Sequence, residues 1–283
     1  MKHLTKLALF VVTIFLTGNL AYAGLPLNNL EGVGGVAYNP LAYLAAGDPL
    51  IKVGDTEIVS KPRFGSWYVS LPDSKIDWGS FGTATTLFKR LEISEGYQVV
   101  GWGVPGKTFH KNSIGAKFLI LDENAFDTKW IPAISVGTIY KTTSDKVLRE
   151  LGLPTRGSGE DWYAVATKTI TQLPLPVVLS GGILSSQEYV TGVLGFDSKR
   201  KQTSFENIDV VLPHGFAVGY EFKQGENYGA LKNNNYWDVH VAWLANKNLT
   251  LVLAYTDTGS YGKVGNTRTG LGSGPVLSAQ YSF

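Results

Sequence analysis

Residues 236–257 read YWDVHVAWLANKNLTLVLAYTD, and this stretch decides the fold class. In its first half, every second residue is apolar: Trp237, Val239, Val241 and Trp243. After the turn Asn246-Lys247-Asn248, the second half repeats the pattern with Leu249, Leu251, Leu253 and Tyr255. Successive residues of a strand point to opposite faces of a sheet. The stretch therefore predicts a hairpin whose two strands each have one oily side and one mixed side.

The same alternation recurs along the chain from residue 63 onward, in runs of about ten residues that end at Gly, Pro, Asn or Asp. It predicts twelve strands, at 63–71, 76–87, 91–98, 110–121, 132–141, 161–171, 175–187, 205–212, 215–223, 236–244, 248–257 and 271–283.

Long and short connections alternate between these strands, apart from 72–75 and 122–131. Tight turns fall at Lys89-Arg90, Gln172-Leu173-Pro174, Pro213-His214-Gly215 and 246–248, and long polar segments at 99–109, 142–160, 188–204, 224–235 and 258–270. Transmembrane barrels have this parity, because their turns face the periplasm and their loops face outward. The alternative is a secreted all-β protein, in which nothing maintains such an alternation.

Aromatic residues cluster near the predicted strand ends, where a barrel has its aromatic girdles. They are Trp162, Tyr163, Tyr236, Trp237, Trp243, Tyr255, Tyr281 and Phe283. Tyr281 and Phe283 share a face of the last strand, and a C-terminal aromatic in this position is typical of the sorting signal of outer-membrane barrels. The sequence therefore predicts an all-β transmembrane antiparallel barrel over residues 63–283, closed because an open sheet edge in lipid leaves backbone groups unpaired.

The amino-acid composition argues against several other classes of protein and of functional site. Only 17% of residues are charged, below the roughly 25% of soluble domains. Apart from Lys2 and Lys6, the 23 basic and 23 acidic residues balance, which argues against a nucleic-acid partner. There is no Cys, hence no disulfide, thiolate metal site or Cys nucleophile.

The first 23 residues read as a signal peptide. Two lysines precede the apolar run Leu7–Leu16, and Ala21-Tyr22-Ala23 has the small-x-small pattern of a cleavage site. Ten apolar residues are too few for a helix that spans a bilayer, which needs about 20. We expect export by the general secretory route and an outer-membrane location in a Gram-negative bacterium.

Residues 24–62 precede the barrel, and we expect them to form either a plug or a periplasmic element. Asn39 as N-cap, Pro40 at the first helical position and Gly47 at the end predict a short helix that includes Tyr43. That helix is apolar all round, so it either enters the barrel or lies at the membrane interface. The preceding run Gly32–Val36 suits close packing against a wall, and Leu50–Val59 predicts a small hairpin turning at Gly54-Asp55.

Alternation assigns charged residues of both signs to the inward face of the barrel: Glu92, Lys117, Lys141, Lys168, Glu221, Lys223, Asp238 and His240. The favoured interpretation is a set of ion pairs that hold the barrel in shape. The functional alternative is a constriction of mixed charge that filters solutes. The run Lys199-Arg200-Lys201 is interpreted as the solvated tip of an outer loop, or as a contact with anionic surface sugars.

No catalytic, cofactor-binding or metal-binding residues are assigned. His240 shares a strand face with Asp238, but no serine motif accompanies them, and Gly157-Ser158-Gly159 lacks the strand-to-helix context of a nucleophile elbow. Gly101–Gly106 lacks the context of a phosphate-binding loop, and no His, Asp and Glu have the spacing of metal ligands. We therefore expect a protein that is not an enzyme and has no cofactor.

Several stretches resemble an uncharacterised, domain-of-unknown-function family of Gram-negative exported proteins, over nearly the whole of the chain after residue 23. The stretches are Glu31–Gly35, Gly103–Thr108, Ser113–Lys117, Trp130–Pro132, Ser135–Gly137, Tyr236–Asp238, Val241–Trp243, Asn246-Lys247 and Tyr255–Asp257. The resemblance implies an outer-membrane barrel and brings no site residues with it. The chain departs from the family in its N-terminal glycine-rich segment, which is shorter and poorer in Trp.

A narrow passive channel for small solutes is the leading functional expectation. Twelve strands lie between the small barrels filled by side chains and the 16-stranded porins with wide channels. One alternative is a structural or surface-interaction barrel whose outer loops bind a ligand, and another is an outer-membrane hydrolase. Expected partners are outer-membrane lipids, the barrel assembly machinery and a solute whose identity the sequence does not give.

Overall fold

The computed structural model describes residues 27–101, 107–153, 155–225, 227–228, 231–259 and 270–283. The predicted signal peptide, residues 1–23, lies outside these ranges. Within them, twelve antiparallel strands form one closed barrel. The strands are β1 (Arg63–Leu71), β2 (Ile76–Leu87), β3 (Leu91–Gly101), β4 (Thr108–Leu121), β5 (Ala133–Thr142), β6 (Ser158–Ile170), β7 (Val177–Glu188), β8 (Phe196–Val211), β9 (Phe216–Lys223), β10 (Tyr236–Leu244), β11 (Leu249–Asp257) and β12 (Ser273–Ser282).

Each strand pairs with its neighbours along the chain, and β12 pairs with β1 to close the ring. The closing register runs from Val276 opposite Val69 to Ser282 opposite Arg63. Closure satisfies the backbone hydrogen bonds that a free sheet edge would leave open to lipid. The predicted barrel and its strand number are confirmed, and the strand bounds agree approximately except for β8, which begins at Phe196 rather than at 205.

The apolar alternation faces outward. Within residues 236–257, Val239, Leu253 and Tyr255 are about half exposed, while Asp238 and His240 are buried inside. The turn between β10 and β11 is set by Asn246, whose side-chain oxygen accepts hydrogen bonds from the backbone N–H groups of Asn248 and Leu249. Tyr281 and Phe283 lie on the outer face with their rings in edge-to-face contact, 4.8 Å between centroids. Two of the predicted girdle residues, Tyr163 and Tyr236, instead point inward and are buried.

The connections differ from the prediction at two outer loops. The segment 142–160 contains a short helix, α1 (Asp145–Glu150), and begins β6 at Ser158. Lys199-Arg200-Lys201 is not a loop tip, because β8 begins at Phe196 and these residues continue the strand. The Arg200 guanidinium contacts the Glu160 carboxylate on β6, so this basic run is partly neutralised within the wall. No helix in the described ranges is long and apolar enough to cross a membrane.

Several smaller elements lie outside the twelve strands of the wall. Pro49–Val53 and Thr56–Ser60 form the expected hairpin about Gly54-Asp55, and this hairpin joins β2 through Val59 opposite Leu87. The remaining elements are the two-residue strand pairs Leu27–Asn28 with Gly34–Gly35 and Asn227–Tyr228 with Leu231–Lys232, and 3-10 turns at Pro72–Ser74, Ala125–Asp127 and Pro213–Gly215.

Candidate functional site

The barrel lumen is occupied by the chain that precedes β1. We call residues 27–47 the luminal segment. Residues 27–42 are all buried, and their contacts reach the inner wall on many sides. The Trp67 indole on β1 donates to the Asn28 carbonyl (2.6 Å), the Gln98 amide on β3 donates to the Leu30 carbonyl (2.7 Å), and the Ala42 N–H donates to Thr167 on β6 (2.8 Å). The segment therefore crosses the lumen.

The luminal segment is not helical, in contrast to the short helix that the sequence predicts for 39–47. Its backbone N–H groups bond partly to carbonyls within the segment, as Leu30 to Ala37 and Leu41 to Gly34, and partly to side chains of the wall, but not to carbonyls four residues earlier. Two of them, from Gly34 (2.8 Å) and Ala45 (2.6 Å), donate to the carboxylate of Glu92. The Lys117 ammonium, 3.0 Å from the same carboxylate, donates to the carbonyls of Gly34 (2.8 Å) and Tyr43 (2.7 Å). Wall side chains thus supply the partners that a helix would have supplied.

Glu221 on β9 holds the middle of the segment. Its carboxylate accepts hydrogen bonds from three successive backbone N–H groups, those of Ala37 (3.1 Å), Tyr38 (3.0 Å) and Asn39 (2.5 Å). Charge-assisted hydrogen bonds of this kind are about twice as strong as neutral ones. The Asn39 amide also donates to the Phe222 carbonyl (2.9 Å). Asn39 therefore anchors the segment to β9 instead of capping a helix.

The other candidate plug residues follow the chain down to the end with the tight turns. Pro40 forms a bridge with Gly35, the Tyr43 hydroxyl donates to Glu123 (2.8 Å), and the Gly47 N–H donates to the Lys61 carbonyl (3.2 Å). Burial raises the pKa of the Tyr43 hydroxyl above its usual value, so this group remains a hydrogen-bond donor. Tyr43 and Gly47 also line a cavity of about 420 Å³ that opens at this end.

Paired glycines in the wall make room for the segment. Gly82 on β2 lies opposite Gly96 on β3, both facing inward. A Cβ atom at Gly96 would come within 2.5 Å of the Glu31 carbonyl group, and one at Gly82 within 2.6 Å of the Gly32 Cα. Gly32 itself has φ +84°, which favours glycine. The expected close packing of the glycine-rich run against the wall is therefore present.

Ion pairs cluster at the outer end of the lumen. We call Lys111, Lys141 and Lys223, with the carboxylates of Glu31, Asp161 and Glu188, the lysine cluster. The Lys141 ammonium lies 2.5 Å from Glu31, 2.5 Å from Asp161 and 2.7 Å from Glu188. Lys223 lies 2.6 Å from Glu188. All six side chains are buried, and their charges balance.

The loop between β7 and β8 covers this cluster. We call residues 189–195 the mouth loop. Val190 and Val193 are buried against an apolar layer that includes Leu148 of α1 and Phe109 of β4. The Lys111 ammonium donates to the Thr191 carbonyl. The mouth loop therefore folds into the barrel rather than away from it.

The low exposure of three inward-pointing lysines shows that no open water path runs past them. Lys111, Lys117 and Lys141 are each no more than 1% exposed, although all three point inward. An open water path past them would expose their ammonium groups. Among the described residues, the luminal segment and the mouth loop account for this occlusion.

The predicted lumen-lining residues fall into two groups. Glu92, Lys117, Lys141, Glu221, Lys223, Asp238 and His240 point inward and are buried. The expectation for Lys168 is corrected, because Lys168 has the parity of Trp162 and lies on the outer face, where it pairs with Glu123 at 2.9 Å. Its position beside the connection 122–132 lets the ammonium reach polar partners.

Sequence reasoning missed Glu31, Lys111, Asp161 and Glu188. The alternation of β4 could have identified Lys111, because Lys111 has the same parity as Lys117. Glu188 was missed because β7 was expected to end at residue 187. Glu31 carries no such signal, since its segment is not a strand of the wall.

His240 does not have the geometry of a catalytic base. Its Nδ1 lies 2.7 Å from Asp238 and its Nε2 2.8 Å from Asp209, so both ring nitrogens are bonded to carboxylates. Two acceptors suit an imidazolium that donates from both nitrogens. In the part of the chain that the structure describes, no three His, Asp or Glu are grouped to hold a metal ion.

Comparisons with known proteins agree with this architecture. A family model described as "Protein of unknown function (DUF3034)" matches residues 25–272. No curated protein matches the sequence. Among solved structures, the chain is similar to the KdgM porin (TM-score 0.53, 12% identity, covering 78% of this chain and 99% of that one).

Two further solved structures are similar. One is the KdgM porin in complex with disordered oligogalacturonate (TM-score 0.52, 13% identity, 78% and 99% covered). The other is the outer membrane protein Omp33 of Acinetobacter baumannii (TM-score 0.47, 9% identity, 78% and 96% covered). For the KdgM porin, at 12% and 13% identity, the likeness concerns the fold alone, a closed β-barrel.

Proposed function

The chain belongs to the DUF3034 family of proteins of unknown function, and we propose that it is an outer-membrane channel for passive passage of small polar solutes, closed by its own luminal segment. The inner wall supports this proposal. Most of its strands carry a charged side chain that points inward, and the whole set includes both signs. A barrel with a purely structural role needs only a well-packed apolar interior. The name of the KdgM porin, which shares the fold, agrees with a channel.

The manner in which the segment is held carries the proposal. Its polar contacts with the wall include hydrogen bonds to Glu92, Lys117 and Glu221, beside an apolar cluster that its own residues Leu30 and Tyr38 form with the wall. Water can replace each of these hydrogen-bond partners, so release of the segment leaves the charged part of the wall hydrated. The charged wall is thus suited to two states, one closed by the segment and one filled with water.

Single-channel conductance in planar bilayers tests this. We expect brief, rare steps from the chain that follows the predicted cleavage site, and long-lived steps once residues 24–47 are deleted. The control replaces hairpin residues 50–59 with Gly-Gly. Pro49 and Ser60 are cross-strand partners, so this short link closes the gap while the luminal segment stays in place. The control should behave like the parent chain, and absence of steps from a folded 24–47 deletion would contradict the proposal.

The closed lumen itself favours one alternative, a surface-interaction barrel. Buried ammonium groups at the outer end and the inward mouth loop leave no water path at that level in the described residues. This alternative predicts that no deletion of the luminal segment yields conductance, and that a ligand outside the cell is bound through the outer loops.

A further inference from the structure

The luminal segment places a single carboxylate among the buried lysines of the wall. Residues 27–47 contain one acidic residue, Glu31, and no Lys or Arg. The Glu31 carboxylate lies 2.5 Å from the Lys141 ammonium and 3.8 Å from the Lys111 ammonium. The only formal charge of a 21-residue segment is thus placed on the most basic part of the lumen.

Removal of the segment would leave this part of the wall with an excess of positive charge. Lys111, Lys141 and Lys223 then face only Asp161 and Glu188 among the carboxylates of the cluster. Three lysines against two carboxylates leave a net charge of +1, so the emptied position attracts an anion. A ligand that brings one negative charge restores the balance.

The position is also built for a ligand group. Lys111 and Lys141 are fully buried, so their ammonium groups are held in place, and the Trp78 ring lies 5.8 Å from the Lys111 ammonium. The Glu31 side chain retains 11% exposure while those two lysine side chains have none. The Glu31 side chain is therefore the most exposed of the six in the lysine cluster.

We propose that Lys111 and Lys141 form a binding site for the carboxylate of a small solute, which Glu31 occupies while the lumen is closed. This rests on the proposed channel function and names its solute class: small molecules that carry a carboxylate. Such a solute competes with Glu31 and so favours release of the luminal segment.

Titration calorimetry of the detergent-solubilised chain, with D-glucuronate as the probe, tests the site directly. Glu31→Gln keeps the shape of the side chain and removes its charge, so we expect glucuronate to bind at least about tenfold more tightly than to the parent chain. D-glucose, which lacks the carboxylate, should not bind more tightly. Glu160→Gln is the matched control, because Glu160 pairs with Arg200 on the outer wall and should leave affinity unchanged.

Adding Lys111→Gln to Glu31→Gln should abolish the gain, and gel mobility before and after boiling verifies that each variant is folded. Reversal potentials in a KCl gradient give a second readout, in which Glu31→Gln should shift selectivity toward chloride. Conductance with neither a gain in affinity nor a shift in selectivity would overturn the site and leave the channel standing. Tighter glucuronate binding without conductance from any variant would support the site and refute the channel.

Discussion

At the scale of single residues, the closed state depends on two positions of the wall that have no side chain. Gly82 and Gly96 face each other across β2 and β3, and the backbone of Glu31 and Gly32 lies against them. Any side chain at these positions overlaps the luminal segment but not the wall strands. A substitution of either glycine is therefore expected to disturb the luminal segment and not the wall.

Gly96→Val should open the channel. The added side chain overlaps the Glu31 backbone, and overpacking costs about 1–3 kcal/mol. Because the cost falls on the closed state alone, the open fraction should rise roughly 5–150-fold in single-channel records. Gly79→Val is the control, since a Cβ atom there meets nothing within 4 Å. Equal open fractions in the two variants would argue against contact between the segment and this part of the wall.

At the scale of elements, the luminal segment behaves as a ligand of the barrel. It has almost no regular structure of its own, and its partners are distributed over β1, β3, β6 and β9. A segment that adds no strand to the barrel sheet can leave without breaking that sheet.

A reversible cross-link tests whether the segment must move. A Cβ atom at Gly115 would lie 2.9 Å from Val33 Cγ2, the place that the sulfur of a cysteine takes, so the pair suits a disulfide once the neighbouring Ser94 hydroxyl rotates aside. The chain has no Cys of its own. Oxidised Val33→Cys/Gly115→Cys should show no steps, and a reductant should restore them. The single variant Val33→Cys should give the same conductance steps with and without the oxidant. Conductance steps from the fully oxidised pair would exclude release of the segment as the gate.

At the scale of the whole molecule, the barrel has apolar side chains on its outside and charged side chains inside, the reverse of a soluble protein. Large apolar side chains such as Leu253, Val239 and Leu277 are about half exposed on the outside, while charged side chains such as Lys141 and Glu188 are buried within. This distribution is stable only where the outer solvent is lipid.

Two matched substitutions check that environment. Leu50 and Leu253 are 57% and 58% exposed, but Leu50 lies in the hairpin beyond the barrel end and Leu253 in the outer wall on β11. Leu253→Arg should lower the free energy of unfolding in phospholipid vesicles by about 2–4 kcal/mol, because lipid does not solvate the charge. Leu50→Arg should change it by less than about 0.5 kcal/mol, as at a surface in water. Equal losses, measured by urea titration, would count against a membrane-embedded wall.

Sequence alternation alone determined the barrel. Each strand must present apolar side chains to lipid at every second position, and this requirement leaves a period of two that is readable without coordinates, as in 236–257. The same parity correctly placed Glu92, Lys117, Lys141 and Glu221 inside. It failed for Lys168, near a strand end, where an ammonium group can reach polar partners from the outer face.

Only the tertiary structure decided what fills the lumen. Residues 39–47 have the local features of a helix, yet Glu92, Thr167 and Glu221, which are far away along the chain, take up the backbone N–H groups of the segment. Long-range hydrogen bonds override local propensity here, and no local pattern encodes them. The position of Glu31 beside Lys141 was hidden for the same reason, since an isolated carboxylate outside the strands acquires a partner only once the barrel has closed around it.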